Sequence, residues 1–159
     1  MGATLLKHVT LGYTDSTVEV KPADALRGKA VVGLYFGRPS CGHCVQLLKD
    51  LRHLASSRTD TAIILVSRGT TPAESKRYFG DMYDWLAVPH EAATGSVRSA
   101  LADRFQVRTI PALVLLDAAG KVICTNGRGR LTADRLGRDF PWRDLACIRK
   151  PTVNFDLPG

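Results

Sequence analysis

The chain has 159 residues, 45% of them hydrophobic, a size and composition that suit one compact domain. Its 22 Lys and Arg against 15 Asp and Glu give a net charge of +7, but the basic residues are scattered, and no nucleic-acid-binding module is apparent. No apolar stretch approaches the roughly 20 residues that a membrane-spanning helix needs, so we expect neither a nucleic-acid nor a membrane partner.

The first predicted elements are two strands and a helix. Residues 17–21 alternate in polarity, which predicts a short strand ended by Pro22. Residues 30–36 form a continuous apolar run, typical of a strand covered on both faces. From Cys44 onward, apolar residues recur at spacings of three and four, which predicts a helix that packs one face on the sheet. These residues are Leu47, Leu48, Leu51, Leu54 and Ala55.

The middle of the chain continues this alternation of strands and helices. Residues 62–66 predict a second buried strand. A helix over 71–79 is indicated by Thr71 as its N-cap and Pro72 at its first position. Another helix is predicted over 96–105, with Val97, Leu101 and Phe105 on one face.

The last predicted elements are a hairpin and a closing helix. Residues 112–116 and 122–124 predict two strands joined by a turn over 117–120. Residues 142–148 predict a closing helix, and 151–159 a loosely held tail.

These elements predict an α/β fold with a central mixed sheet and helices on both faces, in which parallel strands carry an antiparallel hairpin. We expect a single domain over 1–159, with a core of about 17–148, a short N-terminal extension and a C-terminal tail.

The most informative motif is Cys41-Gly42-His43-Cys44, at the junction of a predicted strand and helix. Two thiols at this spacing can form a reversible disulfide, and the helix N-terminus and a protonated His43 favour the thiolate of Cys41. Cys41 would attack a substrate disulfide, and Cys44 would resolve the mixed disulfide. A stabilised thiolate makes such a pair more oxidising, toward about −180 mV as in protein disulfide isomerase.

The same spacing occurs in zinc sites, which need about four ligands. Besides Cys41 and Cys44, the candidates are Cys124, Cys147 and isolated histidines at 8, 53 and 90. Because no second closely spaced pair exists, we expect no metal and no cofactor other than the redox disulfide. Cys124 lies in an apolar strand and is interpreted as a small core residue, whereas Cys147 stays unassigned.

Thr109-Ile110-Pro111 is the second candidate part of the site. A proline before an apolar strand belongs at the beginning of that strand, because it lacks the donor that a central position requires. Frequencies favour a trans bond, since only about 5–6% of X-Pro bonds in folded proteins are cis. Beside a redox pair we nevertheless expect Ile110–Pro111 to be cis, with the backbone of Ile110 facing the disulfide.

The cysteines are too sparse for a secreted disulfide framework, and no signal-peptide pattern opens the chain. We therefore expect a reducing, cytoplasmic setting. We also expect a monomeric protein.

The sequence resembles thioredoxin-fold proteins of the tryparedoxin and nucleoredoxin branch, from about Val18 to Trp142. The resemblance is carried by local signatures along the chain: Val18-Glu19-Val20, Leu26-Arg27-Gly28-Lys29, Tyr35-Phe36 before the cysteines, Trp85-Leu86-Ala87-Val88-Pro89, Ile110-Pro111, Arg128 in the outgoing arm of the hairpin, and Phe140-Pro141-Trp142. It implies that Cys41 attacks, that Cys44 resolves, that Pro111 is the cis-proline, and that Ile110 and Arg128 border the substrate site.

The sequence differs from the tryparedoxin pattern at three places, one of which is the residue pair between the cysteines. Ser40 stands where tryparedoxins have Trp, and Gly42-His43 replaces Pro-Pro and resembles protein disulfide isomerase. Arg68 lies in the segment where tryparedoxins carry an acidic run that would attract the cationic linker of trypanothione. Tyr35 occupies the place of the buried acid of thioredoxins, as it does in tryparedoxins.

The sequence thus predicts a thiol–disulfide oxidoreductase that acts on protein disulfides, such as those of peroxidases, or on small thiols, with trypanothione as one candidate donor. The alternative is a redox-sensitive adaptor with little turnover. The candidate site residues besides the two cysteines fall into a supporting group and a substrate-binding group. They are Ser40, Gly42, His43 and Pro111 in the first group, and Ile110, Arg128 and Arg68 in the second.

Overall fold

A computed structural model describes residues 11–13, 19–38, 41–68, 71, 73–74, 85–88 and 95–148. Within them lies one sheet of seven strands. The strands are β1 (Leu11–Tyr13), β2 (Glu19–Val20), β3 (Val31–Gly37), β4 (Thr61–Ser67), β5 (Leu86–Ala87), β6 (Ala112–Asp117) and β7 (Val122–Cys124). The helices are α1 (Pro22–Ala25), α2 (Gly42–Ser56), α3 (Gly95–Arg104), α4 (Gly127–Ala133) and a 3-10 turn, Leu145–Cys147.

The strand order is β2-β1-β5-β4-β3-β6-β7. The central strand β3 is parallel to β4, with Gly37 opposite Ser67, and antiparallel to β6, with Phe36 opposite Ala112. β6 and β7 form the antiparallel hairpin. The carboxyl ends of β3 and β4 and the amino end of β6 therefore meet at one edge of the sheet, which confirms the predicted mixed topology.

Helices cover both faces of this sheet. Tyr35 packs in a core with α2 and α4, whereas its neighbour Leu34 packs in a second core with α3. Both side chains are fully buried. Because successive strand side chains point to opposite faces, a strand covered on both sides must be apolar at every position, which explains the unbroken run in β3.

The predicted helix over 142–148 is wrong except for the 3-10 turn. Trp142 has a φ of +59°, in the left-handed region, so a right-handed helix cannot run through it. Its indole is buried, and its Nε1 donates a hydrogen bond to the Asp134 carboxylate at 3.0 Å. The segment thus packs through a buried aromatic anchor rather than through a helical face.

Helix α4 was not predicted, since Gly127-Arg128-Gly129 has low helix propensity. Arg128 therefore lies on a helix and not on an arm of the hairpin. The Asn126 side chain caps this helix by accepting a hydrogen bond from the Gly129 backbone N–H at 3.3 Å. A Cβ on Gly127 would lie 2.7 Å from the Leu113 carbonyl oxygen, so close contact with β6 requires glycine there.

Other predicted elements have boundaries close to the observed ones, while β1, β5 and α1 were not predicted. The helix predicted over 71–79 lies mostly outside the described residues, but its N-cap is described. The Glu74 N–H donates to Thr71 Oγ1 at 3.3 Å, and the Thr71 N–H donates to Glu74 Oε2 at 3.2 Å. The tail over 151–159 also lies outside the described residues.

Candidate active site

The two cysteines of the motif occupy the beginning of α2, directly beyond the end of β3. Cys41 is the N-cap residue, and its Sγ accepts a hydrogen bond from the Cys44 backbone N–H at 3.2 Å. Cys41 is partly exposed, whereas Cys44 is fully buried one helical turn further on. Both are free thiols, so one sulfur is accessible to a substrate and the other lies behind it.

The pKa of Cys41 is lowered from its ordinary value. Desolvation acts in the opposite direction and raises this pKa, but several favourable interactions outweigh it. They are hydrogen bonds from the Cys44 thiol and from the backbone N–H groups of Cys44 and His43, together with the positive charge of Arg38. The contribution of His43 comes from its backbone N–H, and its side chain is exposed. The site therefore favours a thiolate on the accessible sulfur.

The pKa of Cys44 is shifted in the opposite direction. Burial, with a smaller contribution from Cys41, raises the pKa of Cys44 to about 11. A hydrogen bond with the Tyr35 hydroxyl acts in the lowering direction. The same fully buried hydroxyl donates a hydrogen bond to the Cys44 carbonyl oxygen at 2.8 Å, so Tyr35 contacts the second cysteine through both its side chain and its backbone. Near neutral pH the Cys44 thiol is therefore protonated.

The second predicted part of the site lies at the amino end of β6. The Ile110–Pro111 peptide bond is cis, Pro111 is buried and Ile110 is partly buried. Arg128 reaches this loop from α4, and its Nη1 donates to the Pro111 carbonyl oxygen at 3.4 Å. Because Ala112 is paired with Phe36, the loop lies beside the end of the strand that precedes Cys41.

A groove with a cavity volume of about 570 Å³ runs between α2 and α4. His43, Gln46 and Asp50 line it from α2, while Arg128 and Thr132 line it from α4. His43 of the redox motif is thus part of the groove wall.

The other candidates have different positions. Gly42 is exposed, and a Cβ there would meet nothing within 4 Å, so its glycine is not required by close contact. Arg68 directly follows β4, and its backbone N–H donates to the Gly37 carbonyl oxygen at 2.9 Å, which places it at the same edge of the sheet. Ser40 lies outside the described residues.

Two arginines at the carboxyl edge of the sheet, Arg38 and Arg98, were not among the predicted site residues. Arg38 lies between a predicted buried strand and the cysteine motif, and this position in the sequence could have indicated it. Arg98 lies on α3, and its Nη1 donates to the Ser67 carbonyl oxygen at 3.0 Å, 31 residues away in sequence, which no local pattern indicates.

The remaining cysteines form a disulfide between β7 and the 3-10 turn. Cys124 is a core residue, as predicted, but its bond to Cys147 was not predicted. Cys124 is 0% exposed and Cys147 is 1% exposed. The Cys147 carbonyl oxygen also accepts hydrogen bonds from the backbone N–H groups of Thr125 and Asn126, at 2.8 and 3.2 Å, and from Thr125 Oγ1 at 3.2 Å. This second pair therefore fastens the closing segment to the cap of α4.

Among the residues that the structure describes, no group of three or more His, Cys, Asp or Glu side chains is placed to hold a metal ion. In the same part of the chain, no helix combines the length and apolarity needed to cross a membrane.

A family model described as thioredoxin-like matches residues 28–122, which include the redox motif and Pro111. The chain belongs to the thioredoxin-like family. Homologues in this family are thiol–disulfide oxidoreductases. The thioredoxin-like fold is also that of tryparedoxin I from Leishmania major, which superposes with a TM-score of 0.75 at 29% identity, over 89% of this chain and 96% of that one.

Two sequence relatives fit the branch that the motifs indicated. Human nucleoredoxin is 35% identical over 127 residues, 77% of this chain. This chain covers only 28% of that nucleoredoxin, so it corresponds to a part of the longer protein. Tryparedoxin from Trypanosoma brucei brucei is 31% identical over 122 residues, which cover 74% of this chain and 82% of the tryparedoxin.

Proposed function

We propose that this thioredoxin-like chain exchanges disulfides with protein or small-thiol partners through Cys41 and Cys44. The observation that carries the proposal is the asymmetry of the pair. Cys41 is partly exposed and accepts the Cys44 N–H at 3.2 Å, whereas Cys44 is buried behind it with its pKa raised to about 11. One sulfur is thus prepared to attack and the other to resolve.

The reaction has two displacement steps. The Cys41 thiolate attacks one sulfur of the substrate disulfide, which forms a Cys41–substrate disulfide and releases the other sulfur as a thiolate. Cys44 then loses its proton and attacks Cys41 Sγ, which forms the Cys41–Cys44 disulfide and releases the second substrate thiolate. The substrate is reduced by two electrons, and the protein is oxidised by two.

The surroundings suit these steps. Loss of the negative charge on Cys41, when the mixed disulfide forms, removes one of the influences that raise the Cys44 pKa. Ionisation of Cys44 therefore becomes easier at the moment when its attack is required. The proposed substrate chain lies along the Ile110–Pro111 loop and the α2–α4 groove, beside Arg128.

Protein disulfides, such as those of peroxidases, are the proposed acceptors, and a dithiol is the proposed donor. Trypanothione is the donor to test first because of the tryparedoxin relative. Its cationic linker would be repelled by Arg68 in a chain of net charge +7, so we expect slower reduction than that of a tryparedoxin with an acidic segment. Equal rates at low salt would contradict this expectation.

The test of the proposal is a trapping experiment. A Cys44→Ser variant should accumulate mixed disulfides through Cys41 that non-reducing electrophoresis resolves, and a matched Cys41→Ser variant should trap none. The unaltered protein should reduce insulin with dithiothreitol as the donor. Absence of both turnover and trapping would overturn the proposal, and redox-dependent binding of a partner without turnover would favour the adaptor instead.

A further inference from the structure

Three arginines from three separate segments lie at the carboxyl edge of the sheet. Arg38 follows β3 and Arg68 follows β4, and the two parallel strands end opposite each other at Gly37 and Ser67. Arg98 reaches the same place from α3 through its hydrogen bond to the Ser67 carbonyl oxygen at 3.0 Å. We call Arg38, Arg68 and Arg98 the arginine cluster.

The described part of the chain supplies no acidic partner for the arginine cluster. The ion pairs found there join other residues, namely Arg27 with Asp24, Arg130 with Asp144, and Arg135 with Asp50. The buried Nε of Arg98 has no hydrogen-bond partner among the described residues. Burial, together with the nearby charge of Arg68, lowers the pKa of Arg98. The repulsion between Arg68 and Arg98 raises the free energy of the protein, and an anion bound between them would offset it.

The arginine cluster also has a defined position relative to the reacting sulfur. The Cys41 backbone N–H donates to the Arg38 carbonyl oxygen at 3.4 Å. The sheet order places β4 on one side of β3 and β6 on the other. Arg68 therefore lies on the β4 side of the strand that leads to Cys41, whereas Pro111 lies on the β6 side. A substrate disulfide at Cys41 would have the Pro111 loop on one flank and guanidinium groups on the other.

We propose that the arginine cluster binds carboxylates next to the disulfide that Cys41 attacks, so that the protein selects anionic disulfide substrates. A guanidinium presents paired donors that match the two oxygens of a carboxylate. This inference rests on the proposed disulfide exchange and adds its substrate class. The carboxylates can belong to a small peptide disulfide or to acidic residues that flank a protein disulfide.

The test compares substrates that differ only in charge. The full chain, reduced beforehand and freed of reductant, is mixed with disulfide-linked peptides in which Asp, Asn or Lys flanks each cysteine, and in parallel with glutathione disulfide. We expect the Asp peptide to react about 10-fold faster than the Lys peptide at low salt, and high salt to remove most of this difference.

Variants connect the preference to the cluster. Arg68→Gln should reduce the ratio of Asp to Lys rates several-fold. Arg98→Gln should act in the same direction, and Arg68→Gln provides the answer if loss of the Ser67 hydrogen bond prevents folding of the Arg98 variant. Arg104→Gln, an exposed arginine on the same helix, is the matched control and should preserve the ratio.

The outcomes separate this inference from the proposed function. If both the Asp peptide and glutathione disulfide react faster than the Lys peptide, the inference is supported and the ligand can be a small carboxylate. If only the Asp peptide reacts faster than the Lys peptide, the inference is supported and the ligand is an acidic protein segment. Equal rates for Asp and Lys peptides would overturn it while leaving disulfide exchange intact. Failure of every disulfide to react would instead overturn the proposed function.

Discussion

Cys41 and Cys44 lie at the N-terminus of a helix, reduced, with one sulfur partly exposed, whereas Cys124 and Cys147 are both buried and joined. The first pair is surrounded by N–H donors and a cationic side chain that stabilise a thiolate. The second pair lies in an apolar core that offers a thiolate no access to a substrate. The contrast teaches that surroundings, rather than the sulfur itself, divide these cysteines into a proposed reactive pair and a structural pair.

The largest effect that can test this contrast is on stability. Replacement of both Cys124 and Cys147 by Ala should lower the free energy of unfolding by about 3 kcal/mol, because the cross-link closes a loop with a sequence separation of 23. Urea unfolding without reductant measures this loss. Disulfide exchange by the variant should stay within about twofold of the unaltered protein.

The control for that experiment is the unaltered protein after reduction, which should lose a similar amount of stability. An unchanged unfolding midpoint in both cases would show that the second pair does not fasten the fold. A collapse of exchange activity in a variant that remains folded would show that the two pairs act together.

The second prediction separates the two sulfurs of the reactive pair. Since the thiolate is the reactive form, the lowered pKa of Cys41 shifts its alkylation by iodoacetamide to lower pH than an ordinary thiol. The pKa of Cys44 is raised to about 11, so near pH 8 Cys41 should react about 100-fold faster than Cys44. Peptide mass spectrometry after timed alkylation measures both rates.

Arg38→Gln sharpens this measurement, because it removes one of the influences that lower the Cys41 pKa. The pH at which alkylation of Cys41 reaches half its maximal rate should rise in that variant. An Arg52→Gln control on the exposed side of α2 should leave this pH unchanged. Equal alkylation of Cys41 and Cys44 in the unaltered protein would contradict the division of roles.

The smallest predicted effect concerns Tyr35. Tyr35→Phe removes the hydroxyl that acts to lower the Cys44 pKa and that donates to its carbonyl oxygen at 2.8 Å. The mixed disulfide should live about threefold to tenfold longer, in proportion to a hydrogen bond of about 1 kcal/mol. Rapid acid quench measures both steps in one variant, and equal slowing of attack and resolution would contradict a role specific to Cys44.

The elements that the sequence predicted correctly are buried strands and motifs formed by neighbouring residues in the chain. Strands β3 and β4 are buried on both faces, so their sequence cannot be mistaken for an exposed element. The redox motif is contiguous and therefore recognisable. Helix α4 was missed because Gly127 is required by contact with Leu113, and tertiary packing there outweighs helix propensity.

Long-range partners could not be predicted from the sequence. The disulfide depends on the closing segment returning to β7, and residues 142–148 were assigned a helix that Trp142 prevents. Likewise, the hydrogen bond of Arg98 to Ser67 spans 31 residues, so the arginine cluster exists only in the folded chain. Such contacts depend on three-dimensional proximity that neither periodicity nor spacing reports.

The carbonyl oxygen of Cys147 has a consequence for how the chain can be shortened. It holds the backbone of Asn126, which caps the helix that carries Arg128 to the Pro111 loop. A chain of hydrogen bonds therefore connects the last described residues to Arg128, beside the proposed substrate site. Trimming the protein before residue 145 would remove no part of the redox motif, yet it would loosen the side chain that frames the entrance to it.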